Sequence, residues 1–241
     1  MSSFVLKIIA AVSMFIDHTG LLLFPKYPIF RIIGRLAFPI YAYCIAEGFR
    51  YTHSRMRYFL RIFGLGLICQ IVYTIADHEL YLGVLITFSF SIIVMAAMEC
   101  VKSAVRGEKS ALAEMTERLT GHELSNQADR MLSTTVCCTI IILLFLLTTR
   151  VTVDYGFFGI MLPVCANLFE EKGQRLVMFS ACLLALCIDV TPSFAVQYWS
   201  LLTIPLIAAY NGEPGKYRMK YFFYIFYPAH LVLLYGISML R

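Results

Sequence analysis

The chain has 241 residues, 60% of them apolar or aromatic and 15% charged, with a formal net charge of +5. A soluble domain carries about 25% charged residues, so the polar surface of a water-soluble globule is missing here. Collagen, coiled-coil, disordered and disulfide-scaffold classes fall too, because Gly and Pro are modest and apolar runs recur throughout, and the net charge is small for a nucleic-acid partner.

A helix needs about 20 residues to cross a hydrocarbon core of about 30 Å. Apolar runs fit for this occupy, in chain order, 4–24, 29–49, 58–76, 81–100, 133–149, 155–169, 176–188, 194–210 and 221–239. They predict an all-α, polytopic transmembrane helical bundle of about nine spans, forming one membrane-embedded domain over 1–241. The sixth and seventh runs are short, which leaves the count open by one. In the first run Asp17 and His18 follow the apolar stretch and no small-x-small cleavage pattern occurs, so it reads as a retained span.

The connections sort by charge. Lys7, the basic residues at 50–61, those at 102–130 and those at 172–175 and 216–220 place 15 of the 20 Lys and Arg on one face, against Lys26, Arg31, Arg35, Arg150 and Arg241 on the other. The positive-inside rule makes the first face cytoplasmic, with the N-terminus inside and the C-terminus outside. The one long polar stretch, 101–132, lies on that face. Within it Leu112, Met115 and Leu119 recur at helical spacing before a stop at Gly121, which predicts a cytoplasmic amphipathic helix. No internal repeat is visible, which weighs against an inverted-repeat transporter.

Ionisable residues at membrane depth are costly and mark function. Asp17, His18, Arg35, Glu47 and His230 qualify. His18 lies about six residues from the outer end of its run and Arg35 about six into the next, so both sit roughly 9–10 Å below the outer surface. The short connection 25–28 makes the two runs neighbours, and His230 falls near the same layer, about 13 Å deep. Pro39 cannot donate to the carbonyl of Arg35, nor Pro228 to that of Tyr224, so both helices are expected to kink beside the polar residues. Lys7 precedes His18 by about three turns and lies on the same face, about 16 Å away along the axis. That stripe suits a long ligand with phosphates at the cytoplasmic end and a reactive group near His18, the shape of coenzyme A; the alternative is a lysine reaching for lipid phosphates. Asp17 and His18 read equally as an interhelical hydrogen-bonding pair, and Glu47 as a partner of Arg50 or Arg61. The eight cysteines show no CxxC pair and read as core residues, neither metal ligands nor disulfides.

Three stretches together resemble the TraX family of integral membrane proteins. They are Leu6-Lys7-Ile8-Ile9-Ala10 through Ile16-Asp17-His18-Thr19-Gly20; Gly34-Arg35-Leu36-Ala37-Phe38-Pro39-Ile40 through Glu47-Gly48-Phe49 to Tyr58 and Arg61; and Phe222-Phe223-Tyr224 through Tyr227-Pro228-Ala229-His230-Leu231. The chain is also similar to the wider group of transmembrane acyltransferases, including acyltransferase-3 proteins, in which a basic residue, ten intervening residues and a His mark the first span. Lys7 and His18 match that spacing, with Lys in place of the commoner Arg.

The resemblance implies a multi-pass acetyltransferase of the bacterial inner membrane with acetyl-CoA as co-substrate and no metal. Its acceptor would be an extracytoplasmic amine or hydroxyl: a peptide amino terminus, a glycan or another small molecule. Lys7, Arg57 and Arg61 are expected to meet the acyl-CoA phosphates and His18 to act as general base. Arg35 is expected to stabilise the oxyanion or position the acceptor, Asp17 to orient a neighbouring group or stabilise charge, and His230 to be a second acid/base group or an acceptor ligand. The competing readings are a small proton-coupled transporter using His18, Asp17 and His230 as a relay, and a non-enzymatic scaffold.

Overall fold

The computed structural model describes residues 1–77, 81–189, 195–215 and 220–240; Lys216, Arg218 and Arg241 of the charge pattern, and the first residue of the run 194–210, lie outside them. In chain order the helices are α1 (Ser3–Leu22), α2 (Pro28–Gly34), α3 (Ala37–Tyr51), α4 (Arg55–Asp77), α5 (Val84–Arg106), α6 (Ala111–Thr120), α7 (Asn126–Arg150), α8 (Gly156–Asn167), α9 (Lys172–Asp189), a 3-10 helix (Ala195–Leu202), α10 (Thr203–Ala208) and α11 (Lys220–Met239). Among the described residues, the strands are β1 (Tyr81–Leu82) and β2 (Thr152–Val153), paired in parallel. The fold is therefore all-α.

Among the described residues, four helical stretches are long and apolar enough to cross a membrane: Ser3–Leu22, Pro28–Tyr51, Val84–Arg106 and Asn126–Arg150. Gly156–Asn167, Val196–Ala208 and Ile225–Met239 are apolar but shorter. Two predicted runs differ in backbone from a single span. The run 29–49 breaks between α2 and α3 at Arg35 and Leu36, where Pro39 withholds an N–H from the Arg35 carbonyl. The run 194–210 is a 3-10 helix followed by the six residues of α10. In α11, by contrast, the helix runs on through Pro228.

The surface of α7 is that of a protein in lipid. Ile142, Leu143, Phe145 and Leu146 are all exposed, an apolar face that water would penalise and hydrocarbon accepts. Three of its threonines bond back to the helix: Thr139, Thr148 and Thr149 donate to the carbonyls of Thr135, Phe145 and Leu146 at 2.7–2.8 Å, which spares those O–H groups the cost of facing lipid unpaired. All eight cysteines are free thiols, and Cys138, exposed on α7, departs from the core placement expected of them.

The chain forms two compact units, one of residues 1–51 and 161–241 and one of residues 52–160. In the first, α1 packs against α2, α3 and α11, while the 3-10 helix joins α2, α9 and α10. The first-turn N–H groups of α1, which no helix satisfies internally, find carbonyls in the segment before α11: Ser3 donates to Glu213 at 2.8 Å and Phe4 to Pro214 at 3.2 Å. Close approach of α1 and α2 depends on two glycines. A Cβ on Gly20 would overlap the Cβ of Phe30, and one on Gly34 would overlap the carboxylate of Asp17. Glu47 pairs with neither Arg50 nor Arg61. It is buried against Arg175, while Arg50 reaches Glu170 at 2.8 Å and the carbonyl of Phe169 at 2.7 Å.

In the second unit, α5 packs on α4 and α7, and α6 on α7. The hydroxyls of Ser91 and Thr87 hold the carbonyls of Ile160 and Asp154 at 2.7 and 2.9 Å. The helix expected within 101–132 is α6. Ser110 caps it by accepting from the Ala113 N–H, and Gly121 ends it at φ 73°, a conformation glycine adopts without strain. The buried Asp129 carboxylate fastens α6 to α7, accepting from Ser110 N and Oγ at 2.9 and 2.5 Å and from Ser133 Oγ at 3.1 Å. Met115 and Leu119 point outward and Ala113 inward, so the apolar stripe is not the face that packs.

Glu117 accepts from Lys109 Nζ and from the Leu124 N–H, both at 2.9 Å. These bonds hold its carboxyl below the usual 4.5 and, through the same contact, hold the Lys109 ammonium above the usual 10.5. The stabilisation from Glu117 is therefore present above its unfolded value and lost as pH falls through the lowered folded one; that from Lys109 is lost as pH rises through its raised folded value. Hydrogen-exchange protection of the Leu124 amide is expected to hold across neutral pH and to fall in acid. Protection unchanged at acid pH would show the loop to be fixed by other contacts.

Candidate functional site

The first unit brings together, from opposite ends of the sequence, two of the residues expected at membrane depth. His18 on α1 and His230 on α11 meet edge to face, ring centroids 5.0 Å apart and planes inclined at 66°. His18 Nδ1 lies 3.0 Å from the Met14 carbonyl and 3.3 Å from His230 Nε2, and His230 Nδ1 lies 2.8 Å from the Phe226 carbonyl. A carbonyl only accepts, so each Nδ1 carries the proton when the rings are neutral. His230 Nε2 is then a lone pair facing the N–H of His18, and His18 Nε2 is an unprotonated nitrogen with no hydrogen bond among the described residues. If His18 Nε2 takes a proton, the Nδ1–H of the resulting cation still points at two acceptors. His230 is 3% exposed and its ring stacks on Phe226 at 5.1 Å with Tyr227 at its edge, so packing fixes its orientation.

Asp17 faces away from this pair, as the offset of about 100° between consecutive helical residues requires. It pairs instead with α2. Arg31 Nη1 donates to Asp17 Oδ2 at 2.7 Å, and Arg35 Nη2 lies 3.9 Å from Oδ1. Arg35 Nη1 also donates to Gln197 Oε1 at 3.3 Å, tying the 3-10 helix to α2. Arg31 and Gln197 were not singled out from the sequence. Arg31 was visible there as the residue four before Arg35, on the same helical face; Gln197, an uncharged residue in an apolar run, carried no signal.

The residues assigned to acyl-CoA phosphates stand in both units. Lys7 is half-buried on α1 and makes no hydrogen bond or ion pair among the described residues. Arg57 and Arg61, in the second unit, line an open depression of about 450 Å³ with Thr52, His53, Ser54 and Leu60. It forms where α4 begins: Ser54 Oγ accepts from the Arg57 N–H at 3.3 Å, and Arg61 Nε donates to the Arg57 carbonyl at 3.1 Å. A helix start with two guanidinium groups favours an anion. His53, given no role from the sequence, is part of this wall.

The profile of a family described as TraX protein matches residues 2–238. A probable fimbrial assembly protein, FimC of serogroup H1, from Dichelobacter nodosus is 25% identical over 251 aligned residues, covering 97% of this chain and 94% of that protein. Protein TraX of Escherichia coli is 27% identical over 240 residues, covering 95% of this chain and 84% of its own length. An uncharacterized protein of Rickettsia prowazekii is 41% identical over 70 residues, or 29% of this chain and 26% of that one. No solved structure matches.

Proposed function

This chain belongs to the TraX family of membrane proteins, and from that premise we propose that it is a multi-pass acyltransferase of the bacterial inner membrane. In this reading it has about nine spans, a cytoplasmic N-terminus, and acetyl-CoA as its acyl donor. The observation that carries the proposal is the His18–His230 contact, because it leaves His18 Nε2 as an oriented, unprotonated base at membrane depth.

The transfer runs as follows. His18 Nε2 removes the proton from an acceptor amine or hydroxyl as that group attacks the thioester carbonyl. The imidazolium is stabilised through Nδ1–H by the Met14 carbonyl and His230 Nε2. The tetrahedral oxyanion is countered by the Arg35 guanidinium. Collapse breaks the carbon–sulfur bond, and the leaving thiolate recovers the proton from His18. His230 supports the base, and Asp17 holds Arg31 and Arg35 in place. Lys7 binds phosphate at the other end of α1. The depression beside Arg57 and Arg61 supports a phosphate role for those residues within their own unit. The Dichelobacter relative is a probable fimbrial assembly protein, which favours a fimbrial subunit as acceptor and a peptide amino terminus as the acceptor group.

Acetyl-CoA at about a hundred times its Kd is expected to stabilise the purified protein by about 2.7 kcal/mol, read as a raised melting temperature in detergent. Lys7→Ala is expected to weaken acetyl-CoA binding about tenfold, the loss of one charge-assisted contact, when measured by calorimetry. Single Arg57→Ala and Arg61→Ala replacements test the second basic site in the same way. A melting curve that ignores acetyl-CoA, together with proton-driven flux in liposomes, would instead establish the transporter reading, in which His18 and His230 form a relay.

A further inference from the structure

Gln197 is 2% exposed, at a depth where an unmade hydrogen bond is costly. A guanidinium only donates, so the 3.3 Å contact with Arg35 Nη1 turns the Gln197 oxygen toward the arginine and its NH2 away. That Nε2 has no hydrogen-bond partner among the described residues, and neither has Asp17 Oδ1, which faces the other terminal nitrogen of the same guanidinium at 3.9 Å. The two side chains that flank one guanidinium thus leave a spare donor on Gln197 and a spare acceptor on Asp17. The glutamine is not loosely held. The Cys187 thiol lies 3.5 Å from its carbonyl and 3.4 Å from Ser200 Oγ, and Thr203 Oγ1 donates to the Ser200 carbonyl at 2.7 Å.

A ligand that satisfies both groups brings an acceptor for Gln197 Nε2 and a donor for Asp17 Oδ1. A secondary amide carries both on one planar group; an ester has no donor. We propose that Gln197 and Asp17 form an amide-binding subsite, in which Gln197 Nε2 donates to the amide carbonyl and Asp17 Oδ1 accepts from the amide N–H. The amide has two possible sources, the pantetheine arm of the acyl donor or a peptide group of the acceptor. The inference rests on the acyl-transfer reading only for those sources.

The test is calorimetry on the full-length protein in detergent with two probes, acetyl-CoA and alanyl-alaninamide. Two variants are used: Gln197→Met, which keeps the volume and removes the donor, and Gln197→Glu, which keeps an oxygen for Arg35 and removes the donor. About a tenfold loss of affinity in the folded variants is expected. Loss for acetyl-CoA alone assigns the subsite to pantetheine, and loss for the dipeptide alone assigns it to the acceptor. On the unaltered protein a bound dipeptide also weakens when its amide is replaced by an ester. Affinities that both variants leave unchanged overturn the subsite, an internal water then being the partner, while leaving acyl transfer standing. Dipeptide binding that depends on Gln197, with no acetyl-CoA binding, overturns the acyl-CoA reading and leaves the subsite. Binding of neither probe overturns both.

Discussion

Replacing His18 by Ala is expected to lower acetyl transfer by about 10²–10⁴-fold, the usual contribution of a positioned general base. The protein is expected to fold and to bind acetyl-CoA as before. The reason lies in which nitrogen is committed: Nδ1 is engaged by the Met14 carbonyl and His230 Nε2, leaving Nε2 for the acceptor. His230→Phe keeps an aromatic ring on Phe226 but removes the acceptor behind His18. Because His230 acts through His18, its loss is expected to reduce kcat without raising KM for acetyl-CoA and to shift the pH–rate profile, effects a merely structural role would not produce together. Free-thiol release from acetyl-CoA, followed with a peptide amine as acceptor, measures both. Full turnover in the His18→Ala protein would remove the base assignment.

Glu47→Ala is expected to be the most damaging single change to stability, about 3–5 kcal/mol, because it strands a buried charge. Glu47 and Arg175 are 7% and 6% exposed. Arg175 also donates Nε–H to the Ala166 carbonyl at 2.8 Å and lies over the Tyr43 ring at 5.4 Å. The guanidinium would lose its counter-ion in a place where water cannot replace it. Replacing both partners, Glu47→Met with Arg175→Met, is expected to recover most of the loss, since neither desolvated charge then remains. Thermal unfolding in detergent reads the difference. A single variant as stable as the parent would show that water reaches the pair.

Much of this was legible in the sequence for simple reasons. Depth counted along two neighbouring apolar runs puts Asp17 and Arg35 at one level, and the structure sets their charged atoms 3.9 Å apart. The stop at Gly121 and the helical spacing before it correspond to α6. What stayed hidden needed tertiary information. A hydropathy window measures composition and is blind to backbone continuity: Pro39 announced a kink beside Arg35, but nothing in the run 29–49 marked an end at Gly34 and a restart at Ala37. Glu47 has a basic residue three positions on, yet its partner is Arg175, 128 positions away. Gln197 matters only because a guanidinium from another helix fixes which end of its amide is left over. The meeting of His18 with His230 follows from the packing of α11 on α1, which no local pattern encodes.

The two glycines between α1 and α2 change how a substitution scan of this protein must be read. Alanine at Gly20 pushes against Phe30, and alanine at Gly34 pushes against the carboxylate of Asp17. Either change drives the two helices apart and separates the charges they hold in register. By lost activity alone, both positions would score beside His18, although neither carries a side chain that could act on a substrate. Ranked by melting temperature instead, the glycines fall on one side and His18 on the other. That ordering separates the residues that hold the helices together from the residue that acts between them.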